Sequence, residues 1–140
     1  KESGDRKLRD EEAKKKPPRS IVVDVDQSRQ RMNVVVNNRL RFADWKVSTG
    51  KPGLGTTPNG SFRPFEMNKN YHSRRFNVIL PNGIKFQGGN LIHAASEGGT
   101  NYLGQKRSHG CIRLHPDNAK IFNELVRKVG LSNTWVTIEE

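Results

Sequence analysis

The chain of 140 residues holds one cysteine, and it lies in Ser108-His109-Gly110-Cys111-Ile112-Arg113-Leu114, beside a histidine, a glycine and an arginine. These are residue types that a thiol nucleophile uses. A free thiol, with a pKa of about 8.5, is only a few per cent ionised at neutral pH, so it needs a base or a positive field beside it. Two histidines compete for the part of base. His109 is close in sequence, whereas His93 follows the apolar pair Leu91-Ile92 eighteen positions upstream, and the glycine-bearing segment from Ala95 to Arg107 is long enough to fold back. Side chains alternate in direction along an extended segment, so His109, Gly110 and Cys111 do not all converge simply, which favours His93. Gly110 lacks a Cβ, so backbone N–H groups around His109, Gly110 and Cys111 can approach a developing oxyanion. Arg113, two residues beyond Cys111, falls on the same face of an extended segment, where its guanidinium can hold a carboxylate through two parallel hydrogen bonds. Ser108 offers a hydroxyl that either fixes the loop or bonds a substrate.

The elements that must position these groups read mainly as strands. Ile21, Val23 and Val25 share one face, Met32 to Val36 is β-branched and apolar, and Asn37-Asn38 suits the positive φ angles of a tight hairpin. Leu40 and Phe42 continue a period of two into Trp45 and Val47, and Gly50 to Gly60 reads as a loop. Asn77–Leu80 and Ile84–Phe86 flank Pro81-Asn82-Gly83, which predicts a second hairpin. Leu91-Ile92-His93 reads as a short buried strand delivering His93 at its end, followed by an exposed loop to Arg107. Pro116-Asp117 starts a helix, with Phe122, Leu125, Val126 and Val129 on one face and Gly130 as its cap. Thr134 to Ile138 closes the fold as a strand. The expectation is a mainly β protein, a sandwich or flattened barrel of mostly antiparallel strands with one substantial helix near the C-terminus. The aromatics Phe42, Trp45, Phe62, Phe65, Phe76 and Phe86 are expected in its core.

Composition agrees with one modest core. Hydrophobic residues make up 32%, and 13 glycines with 7 prolines suit a loop-rich β fold better than a helical bundle. Residues 1–19 mix charges without apolar periodicity and read as a flexible linker leading into a single domain over 20–140. The net charge is +11, and the first twenty residues, with eight basic and five acidic side chains, account for only a small part of it. Such a surface suits either nucleic acid or carboxylate-rich ligands at an anionic envelope; with the aromatics in the core, no base-stacking platform is left, and nucleic acid is not expected. No apolar run is long enough to span a membrane. A lone cysteine makes no intramolecular disulfide, and flanked by His-Gly and an arginine it is poorly placed as a mere buried hydrophobe. The set His109, Cys111, His115 and His93 matches no recognised zinc spacing, so no metal is expected.

The spacing His93-x14-Ser108-His109-Gly110-Cys111 resembles the signature of the L,D-transpeptidase catalytic domain, the YkuD-type family of peptidoglycan-modifying enzymes. Ile21–Val25 with Gln30 and Val34–Val36 resembles the family's opening hairpin. Val47-Ser48-Thr49-Gly50-Lys51-Pro52-Gly53 and Thr57-Pro58-Asn59-Gly60-Ser61-Phe62 resemble its "STGK…TP.G.F" segment, and together the matches span roughly residues 21 to 138. Arg113 stands where family patterns often carry Asn, and arginine is a familiar variant there. The resemblance implies a β-sandwich in which Cys111 is the nucleophile, His93 the base, and the Ala94 carbonyl orients the imidazole. It also implies a thioester formed from a peptidoglycan tetrapeptide stem with loss of D-alanine. An amine resolves it, from a second stem to give a 3→3 cross-link, from an envelope protein, or from a D-amino acid; water would make the enzyme a carboxypeptidase. No cofactor is implied, and a monomer in the bacterial envelope, periplasmic or extracytoplasmic, is expected. The non-enzymatic alternative is a basic cell-wall-binding module.

Overall fold

The computed structural model describes residues 17–140; most of the linker expected over 1–19 therefore lies outside the described residues. Its last residues are tied down, since Asn37 accepts the Arg19 N–H on Oδ1 at 2.7 Å and donates Nδ2 to the Pro17 carbonyl at 3.2 Å. Nine strands follow: β1 (Ile21–Asp26), β2 (Arg31–Val36), β3 (Arg39–Ser48), β4 (Gly60–Phe62), β5 (Glu66–Ser73), β6 (Val78–Gln87), β7 (Asn90–Ala94), β8 (Ile112–Leu114) and β9 (Thr134–Glu139). Among the described residues one α-helix, α1 (Pro116–Val129), precedes β9.

The strands form one curled sheet in the order β4-β9-β1-β2-β3-β8-β7-β6-β5. The pairs β1–β9 and β7–β8 are parallel, and the rest are antiparallel. β3 is the seam: its first part pairs with β2, and Val47 and Ser48 at its end pair with Leu114 and Arg113 of β8. This bend lets the sheet fold over a core of inward residues from both halves, including Ile21, Val23, Val34, Val47, Ile84, Ile92, Ile112 and Val136. The alternation in β1 puts Ile21, Val23 and Val25 in that core, fully buried, as the period of two requires. Asn37 and Asn38 both have positive φ (52° and 65°), as a two-residue hairpin between Val36 and Arg39 demands.

Helix α1 packs on β7 and β6 through Ala119, Phe122 and Val126. His115 caps it by accepting the Asp117 N–H on Nδ1 at 3.1 Å, Pro116 opens its first turn, and Gly130 at φ 94° ends it with an N–H bond to Val126. No helix among the described residues is long and apolar enough to cross a membrane.

Two expectations are corrected. Pro81-Asn82-Gly83 is no turn: β6 continues through it, with Pro81 opposite Asn70 and Gly83 opposite Asn68, and with an irregularity at Asn82, whose φ is 55°. The true hairpin turn is Arg74-Arg75-Phe76-Asn77, where Asn77 supplies the positive φ of 51°. Over Val78–Gly83 the strand has a neighbour only on the β5 side, and such an open edge tolerates proline. Glycine at 83 serves packing instead, because a Cβ there would meet Tyr71 and Leu91 within 3 Å. The second correction concerns the aromatics. Phe86 is buried and Phe42, Trp45 and Phe62 pack against the core, but Phe65 is 57% exposed and Phe76, in the Arg74–Asn77 turn, is 38% exposed.

Candidate active site

The parallel pairing of β7 with β8 brings the predicted residues together. In register, Ile92 faces Ile112, His93 faces Arg113 and Ala94 faces Leu114. Side chains alternate, so Ile92, Ala94, Ile112 and Leu114 all enter the core, which leaves Leu91, His93, Cys111 and Arg113 on the opposite face. Cys111, just before β8, packs between Leu80 and Leu91 beside Tyr71, and its Sγ accepts the Leu91 N–H at 3.4 Å. Cys111, His93, Arg113, Ser108 and His109 line one cavity of about 230 Å³, completed by Phe76, Val78 and Leu80 from β6 and the turn before it.

The His93 ring is fixed. Its Nδ1 lies 2.7 Å from the Ala94 carbonyl, and since a carbonyl only accepts, Nδ1 carries the hydrogen and Nε2 presents a lone pair. Burial, which penalises the cation, lowers the His93 pKa to about 4; the Ala94 carbonyl pulls it up, and the Arg113 charge lowers it further. Burial raises the Cys111 thiol above its ordinary value, against opposing effects from the Leu91 N–H, Arg113 and Arg75. The resting site therefore holds a neutral thiol and a neutral imidazole at neutral pH. Of the two sources of activation, a base or a positive field, the base is the one this geometry favours.

The two histidines are separated by burial. His93 is buried, whereas His109 is exposed and rests its ring 5.4 Å from that of Phe76. Gly110 has a φ of 126°, so the segment leaves an extended path there and simple alternation does not describe His109.

Ser108 is fully engaged. Its hydroxyl donates to the Cys111 carbonyl at 2.5 Å and accepts the Gly110 N–H at 3.1 Å, tying the loop across Cys111. The Gly110 N–H is thus occupied, and the N–H groups of His109 and Cys111 remain as candidate oxyanion donors. Beneath the loop runs a scaffold whose role sequence reasoning missed. Ser108 N donates to Thr49 O at 3.0 Å, Lys51 N donates to Ser108 O at 2.8 Å, and Gly50 forms a parallel bridge with Ser108. Thr57 donates its hydroxyl to the Gly110 carbonyl at 2.7 Å and accepts the Gly50 N–H at 2.9 Å. Buried Gln27 and Gln30 complete the support, with Gln30 bonded to Thr49 and Gln27 to the Thr57 carbonyl. The signal was present: Thr49, Gly50 and Thr57 all belong to the segment read as a loop and a family marker. Among the described residues, no cluster of three or more His, Cys, Asp or Glu side chains could hold a metal ion.

The family model of the L,D-transpeptidase catalytic domain (YkuD) matches residues 20–138, and the chain belongs to that family. A search of curated protein sequences returns no match. Among solved structures the chain is similar to an L,D-transpeptidase from Stackebrandtia nassauensis, with 25% identity and a TM-score of 0.74 over 87% of this chain and 56% of that one. L,D-transpeptidase 3 from Mycobacterium tuberculosis, in complex with a faropenem-derived adduct, aligns with 17% identity and a TM-score of 0.72 over 86% and 60%. A protein from Xylanimonas cellulosilytica gives 22% identity and a TM-score of 0.68 over 91% and 66%. The chain thus spans less than two thirds of each of these structures. The latter two establish likeness of fold.

Proposed function

We propose that the chain is a cysteine-dependent L,D-transpeptidase that forms a thioester on Cys111 from a peptidoglycan tetrapeptide stem and passes the acyl group to an amine. The single observation that carries this reading is the His93 tautomer: with Nδ1–H held by Ala94, the unprotonated Nε2 is available in the cavity that Cys111 lines. His93 takes the thiol proton as Sγ attacks the carbonyl of the third stem residue, and N–H groups of the His109–Cys111 turn receive the oxyanion. Collapse breaks the C–N bond, the proton passes from His93 to the departing D-alanine nitrogen, and the thioester remains. An incoming amine then attacks the thioester carbon, gives a proton to His93, and the proton returns to the leaving sulfur. Arg113, which lines the same cavity, holds a carboxylate of the substrate. Action in the bacterial envelope follows from this substrate, with a second stem, an envelope protein or a D-amino acid as the acceptor.

The test is intact mass. Incubation with tetrapeptide stem should add the mass of the tripeptide acyl group to Cys111 and release one equivalent of D-alanine, and faropenem should give a covalent adduct at the same residue. Cys111→Ala should do neither while keeping its fold. D-alanine release by purified Cys111→Ala protein would sink the mechanism, and with an amine present, growth of the hydrolysed tripeptide in place of the aminolysed product would assign a carboxypeptidase.

A further inference from the structure

A cavity of about 430 Å³ lies where the second half of β3, the loop after β7 and the first turn of α1 meet, and it shares no lining residue with the thiol cavity. Its volume falls within the roughly 300–1,000 Å³ of small-ligand sites. The chain passes from one cavity to the other through residues 104–107, which are pinned to the end of β3. Gly104 N donates to Val47 O at 2.8 Å, while Ser48 Oγ donates to Gln105 O at 2.7 Å and accepts the Arg107 N–H at 3.2 Å. Thr100, Asn101 and Leu103, before this segment, line the one cavity; Ser108 and His109, after it, line the other.

Trp45 brings an indole to this cavity, and its half-buried ring is held by stacking on Phe42, with ring centres 4.8 Å apart at 26°. The polar groups beside it are mainly neutral. The side chains of Asn101 and Asn118 have no hydrogen-bond partner among the described residues, and each offers a carbonyl acceptor and an NH2 donor. Thr100 donates its hydroxyl to the Glu97 carbonyl at 3.1 Å and is left as an acceptor. The charged side chains of the lining are one of each sign, Lys46 and Asp44, both exposed, and Asp44 already pairs with Arg29 at 3.2 Å. The cavity therefore calls for a ligand without net charge, with a flat apolar face for the indole and a periphery that both donates and accepts hydrogen bonds. A sugar ring meets these terms, since its axial C–H bonds make the flat face and its hydroxyls the periphery. An acetamido substituent adds an N–H and a C=O that a primary amide can match in kind. We propose that this cavity is a saccharide site, in which an N-acetylated hexose lies on Trp45 and bonds to Asn101 and Asn118. The site goes beyond the L,D-transpeptidase reading, because nothing in it takes part in acyl transfer.

The experiment titrates the isotopically labelled protein with chitobiose, the disaccharide of N-acetylglucosamine, and follows its amide and indole resonances. Chitobiose should shift the Trp45 indole N–H and the side-chain amides of Asn101 and Asn118 saturably, and leave the backbone amides of His93 and Cys111 in place. Asn101→Ala and Asn118→Ala, at positions outside the core, should keep the folded spectrum and each raise Kd roughly two- to tenfold, the worth of one hydrogen bond. Trp45→Leu should raise it further; Trp45 also packs against the core, so the asparagine variants decide the matter if this one fails to fold. Cellobiose, which lacks the acetamido groups, should bind several-fold more weakly, and equal affinity would overturn the acetamido contact. No saturable shift with chitobiose, shifts confined to other residues, or an unchanged Kd in both asparagine variants would overturn the saccharide site. Tighter binding of adenosine than of chitobiose would overturn it too, because the indole would then serve a nucleobase. The same titration with Cys111→Ala should give the same Kd. The readout is thus independent of acylation, so that loss of the saccharide site leaves the enzyme reading standing, and loss of the enzyme reading leaves the site.

Discussion

His93 and Arg113 stand directly opposite each other in the parallel β7–β8 pair, so a permanent cation lies beside a buried imidazole. Burial, and to a lesser degree that charge, keep His93 neutral, and Nε2 carries a lone pair. Burial is the larger cause of the lowered pKa and the Arg113 charge the smaller. Arg113→Gln should therefore move the acid limb of the pH profile for Cys111 acylation upward from about 4, yet leave it below 6.5 because burial persists. A limb that stays in place would show that the guanidinium charge is not felt at the imidazole.

The same lowered pKa makes stability depend on pH. Unfolded His93 binds a proton below about 6.5, while in the folded protein it stays neutral down to about 4. Between those values the unfolded state holds more protons, so this residue costs nothing above 6.5 and destabilises the fold progressively as pH falls toward 4. The full loss is on the order of 3 kcal/mol. Urea unfolding at pH 7 and pH 4.5 should show the wild type losing more stability than His93→Gln, by roughly 2–3 kcal/mol. Equal losses would mean that the imidazole is solvated.

Thr57 joins two backbone groups that the loop cannot otherwise satisfy, the Gly50 N–H and the Gly110 carbonyl. Thr57→Val keeps the shape of the side chain and removes both bonds at a buried position, so it should destabilise by about 1–3 kcal/mol. Acylation of Cys111 should also slow, since the Gly110 carbonyl anchors the turn that carries Cys111. Thermal and urea melts give the first quantity and intact mass the second; a stable protein with unaltered acylation would remove Thr57 from the scaffold.

The reach of the sequence can be read from these residues. Strand alternation in β1, the Asn37-Asn38 hairpin and the face of α1 were legible because each rests on local periodicity or on a local φ requirement, and the structure has them. The Pro81-Asn82-Gly83 reading failed because the same residues are tolerated in a strand with one open edge, and openness depends on how far β7 extends. Strand β5 was missed for a similar reason: Asn68, Lys69 and Asn70 carry no apolar alternation, and pairing with β6 alone makes them a strand. At the site, the convergence of His93, Cys111 and Arg113 follows from two short strands being parallel and in one register, which only the sheet order determines. The neutral state of the pair was beyond reach, because it depends on burial contributed by β6 and the turn before it.

Gly110 offers a test of how narrowly the loop is built. Its φ of 126° is one that side chains avoid, and a Cβ would stand 2.6 Å from Asn90 Oδ1. Two separate obstacles thus face any replacement, a strained backbone and a clash. Gly110→Ala should lose about 1–3 kcal/mol from backbone strain alone. It should also lose most of its acylation activity, because relaxing φ swings the Cys111 N–H and the thiol away from His93. Adding Asn90→Gly removes the clash and leaves the strain, so the double variant should regain only part of the stability and little of the rate. Full recovery in the double variant would make Asn90 the sole obstacle, with the backbone angle unimportant. A single Gly110→Ala variant that unfolds and acylates like the wild type would show that the turn works without the left-handed angle, and the oxyanion role given to its N–H groups would have to be reassigned.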